Sequence, residues 1–114
     1  MEAQQNDPGP VEFSTDDIDD LEALYDELRG MPGVEVTAVA APIAEGEQGA
    51  VLELLTVAFS GGAVTALLNL LTALIESRGP RFRLKIRRGK ERLELTADNI
   101  EDVLPAVREL FDGS

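Results

Sequence analysis

The chain has 114 residues, a net charge of −12, no Cys and no His. That length fits one domain with a modest core. The missing Cys removes thiolate chemistry and cysteine-ligated zinc, the missing His removes the commonest general base and transition-metal ligand, and the acidity argues against a nucleic-acid binder.

Residues 1–9 are polar and read as a flexible acidic tail, with a single α/β domain over 10–114. No basic region followed by an apolar stretch opens the chain, so no secretory signal is expected and the expected compartment is the cytoplasm. Val11-Glu12-Phe13 alternates and predicts a first strand. Ser14 or Thr15 can cap a helix whose first turns hold Asp16, Asp17, Asp19 and Asp20, where the helix dipole favours negative charge. Ile18, Leu21, Leu24, Tyr25 and Leu28 then give one apolar face, and Gly30 with Pro32-Gly33 ends the helix. Val34, Val36, Ala38 and Ala40 alternate as a second strand, Pro42 stops it, and 43–48 reads as a polar loop.

Residues 54–75 carry no charge. The run is long enough to cross a bilayer, which takes about 20 residues. A span would place the second strand and the later hairpin on opposite sides of the membrane, leaving each half too little sheet to fold. Ser60-Gly61-Gly62 is a natural break, since a helix-interior glycine costs about 1 kcal/mol. The expectation is therefore a short helix over 50–59 and a longer one over 62–77, ended by Gly79-Pro80. The second helix carries Val64, Leu67, Leu68, Leu70, Leu71, Leu74 and Ile75 most of the way round. A small domain cannot easily enclose such a helix, so Leu67, Leu71 and Leu74 are expected at a partner surface or a self-association interface.

Arg81-Phe82-Arg83-Leu84-Lys85-Ile86-Arg87 alternates strictly. Phe82, Leu84 and Ile86 belong to one face, and Arg81, Arg83, Lys85 and Arg87 to the other. Arg88-Gly89-Lys90 turns the chain, and Arg92 to Thr96 returns with Leu93 and Leu95 inward, giving a β-hairpin. Asp98 or Asn99 caps a last helix with Ile100, Val103, Leu104, Val107, Leu110 and Phe111 on its apolar face and Pro105 inside it. The predicted order is β-α-β-α-α-β-β-α. It implies an α/β (α+β) fold in which helices cover a mixed four-stranded sheet and the first two strands join by a parallel crossover.

Charge is segregated along the chain. Residues 1–53 hold fourteen acidic groups and one basic group, and eight of the ten basic residues fall between Arg78 and Arg92. The basic row, with Arg88, Lys90 and Arg92, suits an acidic protein partner. It lacks the interleaved aromatics that stack bases, so no nucleic acid is expected. The Asp16–Asp20 acids lack calcium-loop spacing, so no metal is expected. Gly61-Gly62 lacks the phosphate-loop pattern, so a nucleotide sensor is the weakest reading and no cofactor is expected. No nucleophile, base and orienting group form a recognisable constellation, so catalytic residues are not expected and the chain reads as a non-enzyme.

From Gly46 to Phe111 the sequence resembles the effector-associated constant component family of bacterial conflict systems, known chiefly from actinobacteria. The resemblance runs through Gly46-Glu47-Gln48-Gly49-Ala50, Leu54 to Phe59, Ser60-Gly61-Gly62-Ala63-Val64-Thr65-Ala66-Leu67, Ile75-Glu76-Ser77-Arg78, the Arg88-Gly89-Lys90 turn and the closing helix. The Trp usual near the end of the long helix is absent. The resemblance implies a non-catalytic adaptor in an antiviral defence locus, encoded beside an effector that is often a protease or another toxic enzyme. With the residue reading, it gives an adaptor that binds the effector and itself through helix 62–77 and hairpin 81–95. The alternative is a membrane-associated component that inserts 54–75.

Overall fold

The computed structural model describes residues 9–41 and 51–112. The expected polar loop at 43–48 and most of the expected tail lie outside them. Among the described residues the order is β1 (Val11–Thr15), α1 (Ile18–Arg29), β2 (Val34–Ala41), β3 (Val51–Phe59), a 3-10 turn at Gly61–Ala63, α2 (Val64–Arg78), β4 (Arg83–Arg88), β5 (Glu91–Thr96) and α3 (Ile100–Asp112). The strands form one five-stranded sheet in the order β2-β3-β1-β4-β5, and every neighbouring pair is antiparallel. The fold is α+β.

Two expectations are corrected here. Residues 51–59 form a strand, not a helix, so the sheet has five strands rather than four and is antiparallel rather than mixed. Leu55 and Val57 point into the core with Phe59 partly buried beside them, while Leu54, Thr56 and Ala58 point the other way. Apolar side chains on both faces, Leu54 and Ala58 against Leu55 and Val57, hide the two-residue period. The second correction concerns β1 and β2. They do run in the same direction, but β3 lies between them and pairs antiparallel with both. The first helix therefore connects strands that are not neighbours.

Local chemistry sets the element ends. Asp17, rather than Ser14 or Thr15, caps α1: its Oδ1 accepts the Asp19 N–H at 2.9 Å, while the Thr15 hydroxyl donates to the Asp17 carbonyl at 2.6 Å. Asp19 and Asp20 occupy the first turn, where the dipole favours them. Gly33 has φ 78°, a left-handed conformation that other residues rarely adopt, and a Cβ there would also require Ser60 Oγ, 2.9 Å away, to turn aside. Gly61 and Gly62 make the turn from β3 into α2 rather than a break between two helices. The β4–β5 hairpin turns through Gly89, φ 62°, and Lys90. Asn99 precedes α3, and its carbonyl accepts from Val103 N–H at 2.9 Å. Pro105 sits in the second turn of α3, where its missing N–H leaves the Glu101 carbonyl without a helical donor.

One apolar cluster unites all three helices with the same side of the sheet. β1 contributes Val11 and Phe13, β4 contributes Leu84 and Ile86, and β5 contributes Leu95. Leu21, Leu24 and Leu28 of α1, and Val107, Leu110 and Phe111 of α3, close over them. Phe111 stacks edge-on to Phe59 with centroids 5.2 Å apart and lies 6.1 Å from Phe13, tying α3 to β3 and β1. The other side of the sheet carries no helix among the described residues.

The candidate partner-binding face

Burial of Leu84 and Ile86 fixes the orientation of β4. Side chains alternate along a strand, so Arg83, Lys85 and Arg87 must project from the uncovered face, and all three are exposed. Arg81 is also exposed but precedes the strand, in the turn where Phe82 N–H donates to the Gly79 carbonyl at 3.2 Å. The four cations expected on one side are thus three strand residues and one turn residue beside them.

Strand register decides what surrounds each cation. Thr37, Thr56, Glu12, Arg87 and Arg92 lie in one row across the five strands. In the next row Lys85 stands between Ser14 and Glu94, and Arg83 faces Thr96. Leu54, Ser14, Lys85, Arg87 and Glu94 line an open groove of about 620 Å3 on this face.

The cations are partly matched from within. Arg87 Nε donates to Glu12 Oε1 at 2.8 Å, and its Nη2 contacts the same oxygen. Lys85 Nζ lies 3.2 Å from Asp16 Oδ1, with both side chains more than half exposed. Arg78, at the end of α2, pairs with Asp20 at 3.0 Å. The acidic first half of the sequence and the basic hairpin therefore meet inside one chain. Exposed pairs of this kind are worth about 0–1 kcal/mol each, so another anion can displace them. Among the described residues, Arg81, Arg83, Lys90 and Arg92 have no carboxylate within ion-pair distance.

Arg88 belongs elsewhere. It shares parity with Leu84 and Ile86, so it turns to the helix side, half-buried. Its Nη1 donates to the Leu110 and Phe111 carbonyls, both at 2.9 Å, and its Nε donates to the Gly9 carbonyl at 2.8 Å. The guanidinium also lies over the Phe59 ring, 5.8 Å from its centroid. One cation thus caps the C-terminal end of α3, where the dipole is negative, and holds Gly9, two residues before β1. Grouping Arg88 with the outer basic row missed this role; strand parity places Arg88 on the helix side, but its carbonyl partners come only from the tertiary fold.

Leu67 and Leu71 are 0% exposed and Leu74 is 9% exposed, so the three residues expected at a partner interface face the core instead. The exposed side of α2 is Thr65, Ala66, Asn69, Ala73 and Glu76. The apolar positions fit because a five-stranded sheet offers one broad apolar face and α3 packs beside α2. The run 54–75 is split between β3 and α2, and no helix among the described residues is long and apolar enough to cross a membrane. No group of three or more acidic residues among those described could hold a metal ion. Asp16, Asp17 and Asp20 are engaged with Lys85, the α1 N-terminus and Arg78.

Fold and surface together define a small α+β domain with one helix-covered sheet face and one open, cation-rich face. The chain belongs to the Effector Associated Constant Component 1 family, whose profile matches residues 13–111. No curated protein matches the chain, and no solved structure matches it.

Proposed function

We propose that the protein is a non-catalytic adaptor of a bacterial conflict system and that it holds an acidic surface of its effector protein against the open face of the sheet. Family membership supplies the association with an effector. The observation that carries the surface assignment is the alternation of β4: Leu84 and Ile86 are buried while Arg83, Lys85 and Arg87 stand exposed beside Arg81. A partner carboxylate would meet Arg83 directly and would exchange with Asp16 and Glu12 at Lys85 and Arg87. Such exchange favours orientation and rate of encounter as much as affinity. A protease-like effector is the partner class that the family resemblance suggests. Helix α2 offers no open apolar surface for this contact, so the reading rests on the hairpin and its neighbours.

The test is calorimetric titration of the effector encoded beside this chain. Arg83→Glu with Lys85→Glu should weaken binding by about tenfold or more, a loss of about 1.4 kcal/mol. Raising salt to about 0.5 M, where the screening length is roughly 4 Å, should weaken wild-type binding in the same direction. Unchanged binding under both treatments would remove this face from consideration.

A further inference from the structure

The two edges of the sheet are guarded very differently. At β5 the backbone groups of Arg92, Glu94 and Thr96 point away from β4. Asn99 occupies two of them, accepting the Thr96 N–H at 2.8 Å and donating to the Glu94 carbonyl at 3.0 Å. Lys90, Glu91, Arg92 and Glu94 add charge along the same edge. Charges and local caps of this kind are how sheet proteins prevent strand addition.

At β2 protection is sparser: among the described residues it amounts to one exposed charge, Glu35, and a register shift against β3 between Val39 and Ala40. The Ser60 N–H donates to the Gly33 carbonyl at 3.0 Å, so Gly33 and Ser60 form a hydrogen-bonded pair. Antiparallel alternation then directs Glu35, Thr37 and Val39 toward β3 and leaves the backbone groups of Val34, Val36 and Ala38 pointing outward. The Val34 N–H is consistent with this, since it turns away to the Met31 carbonyl at 3.3 Å. Val36 and Ala38 have no other backbone partner among the described residues. The strand is eight residues long, has Glu35 as its one charge, and leaves Thr37, Ala38 and Ala40 exposed.

We infer that β2 is a strand-addition edge and that its occupant is β2 of a second copy, paired antiparallel about a two-fold axis near Thr37. Two observations favour this occupant. The edge is self-complementary: in this register Val36 faces Ala38 of the partner copy, and Glu35 faces Val39 rather than a second Glu35. The chain's own alternative, β5, is blocked by Asn99, so head-to-tail pairing into filaments is disfavoured and a closed dimer remains. The acidic helix α1 packs on β2, so two copies of a −12 chain meeting here repel one another, a cost that salt would screen. The inference is independent of the proposed effector contact, which uses the opposite end of the sheet.

Sedimentation equilibrium of the full chain tests it, together with amide hydrogen exchange. The wild type should dimerise in the tens-of-micromolar range. Salt should strengthen the dimer by screening net repulsion. Val36 and Ala38 amides should exchange more slowly as concentration rises. Ala38→Pro removes only an outward N–H and should reduce dimerisation by about tenfold or more with native circular dichroism. If that variant fails to fold, Ala38→Lys serves, placing a charge at an exposed edge position. A wild-type monomer at about 1 mM in low and high salt would overturn the inference. So would a dimer that both folded variants retain, or one that salt dissolves, since the last would place the contact on the basic hairpin.

Discussion

The two faces of the sheet solve opposite problems with the same strands. On the covered face, β4 presents Leu84 and Ile86 to three helices, and removing either from water is worth about 2 kcal/mol. On the open face, one residue along, Arg83, Lys85 and Arg87 make contacts worth about 1 kcal/mol or less. Stability is concentrated on one face, which leaves the other free to exchange partners. Arg87 and Arg88 show the contrast in two consecutive residues. Arg87, itself exposed, holds one half-buried carboxylate, whereas Arg88 holds three carbonyls and covers an aromatic ring.

The contrast breaks most severely in α2. Leu71→Asp places an unpaired charge at a fully buried position, and the chain should lose its cooperative urea transition altogether. Leu71→Ala should keep the transition but cost about 3 kcal/mol through lost burial and the cavity left behind. If Leu71 were a partner-surface residue, as its position in an apolar run suggests, neither change would lower the midpoint of the isolated chain.

Arg88→Ala comes next, at about 2 kcal/mol by urea denaturation, since a charged donor is lost from several carbonyls. Arg88→Lys should recover only part, because a single ammonium cannot reproduce a planar fork. Arg87→Ala should cost under about 1 kcal/mol. Equal costs for the two neighbours would erase the difference between the faces.

Arg83→Glu with Lys85→Glu should leave the urea midpoint nearly unchanged, within about 1 kcal/mol. The smallest effect on stability, a few tenths of a kcal/mol, is expected for Glu12→Gln with Asp16→Asn. That pair sharpens the comparison, because it removes the internal competitors of an acidic partner. Effector binding, measured by titration calorimetry, should become tighter, not weaker.

Much of this architecture is readable in the sequence wherever one period dominates. Leu21, Leu24 and Leu28 announce α1, the alternation of 82–87 announces β4, and Val107, Leu110 and Phe111 announce the buried face of α3. The strand 51–59 is not readable in this way, because Leu54 and Ala58 on the open face join the inward Leu55, Val57 and Phe59 in one uncharged run that imitates a buried helix. Its insertion between β1 and β2 is a long-range event that no local period encodes. The open-face cations follow from alternation alone, but their partners do not. Glu12 and Arg87 lie 75 residues apart in sequence and meet only through the β1–β4 register.

The central claim is that an acidic effector surface replaces Glu12 and Asp16 on the cations of the open face. The most direct measurement is effector affinity for wild type, Arg83→Glu/Lys85→Glu and Glu12→Gln/Asp16→Asn at about 0.1 M and about 0.5 M salt, spanning screening lengths of roughly 10 Å to 4 Å. The charge reversal should weaken binding, the neutralisation should strengthen it, and both differences should shrink at the higher salt. Affinities that are equal for all three proteins, or a neutralised variant that binds more weakly than wild type, would contradict it.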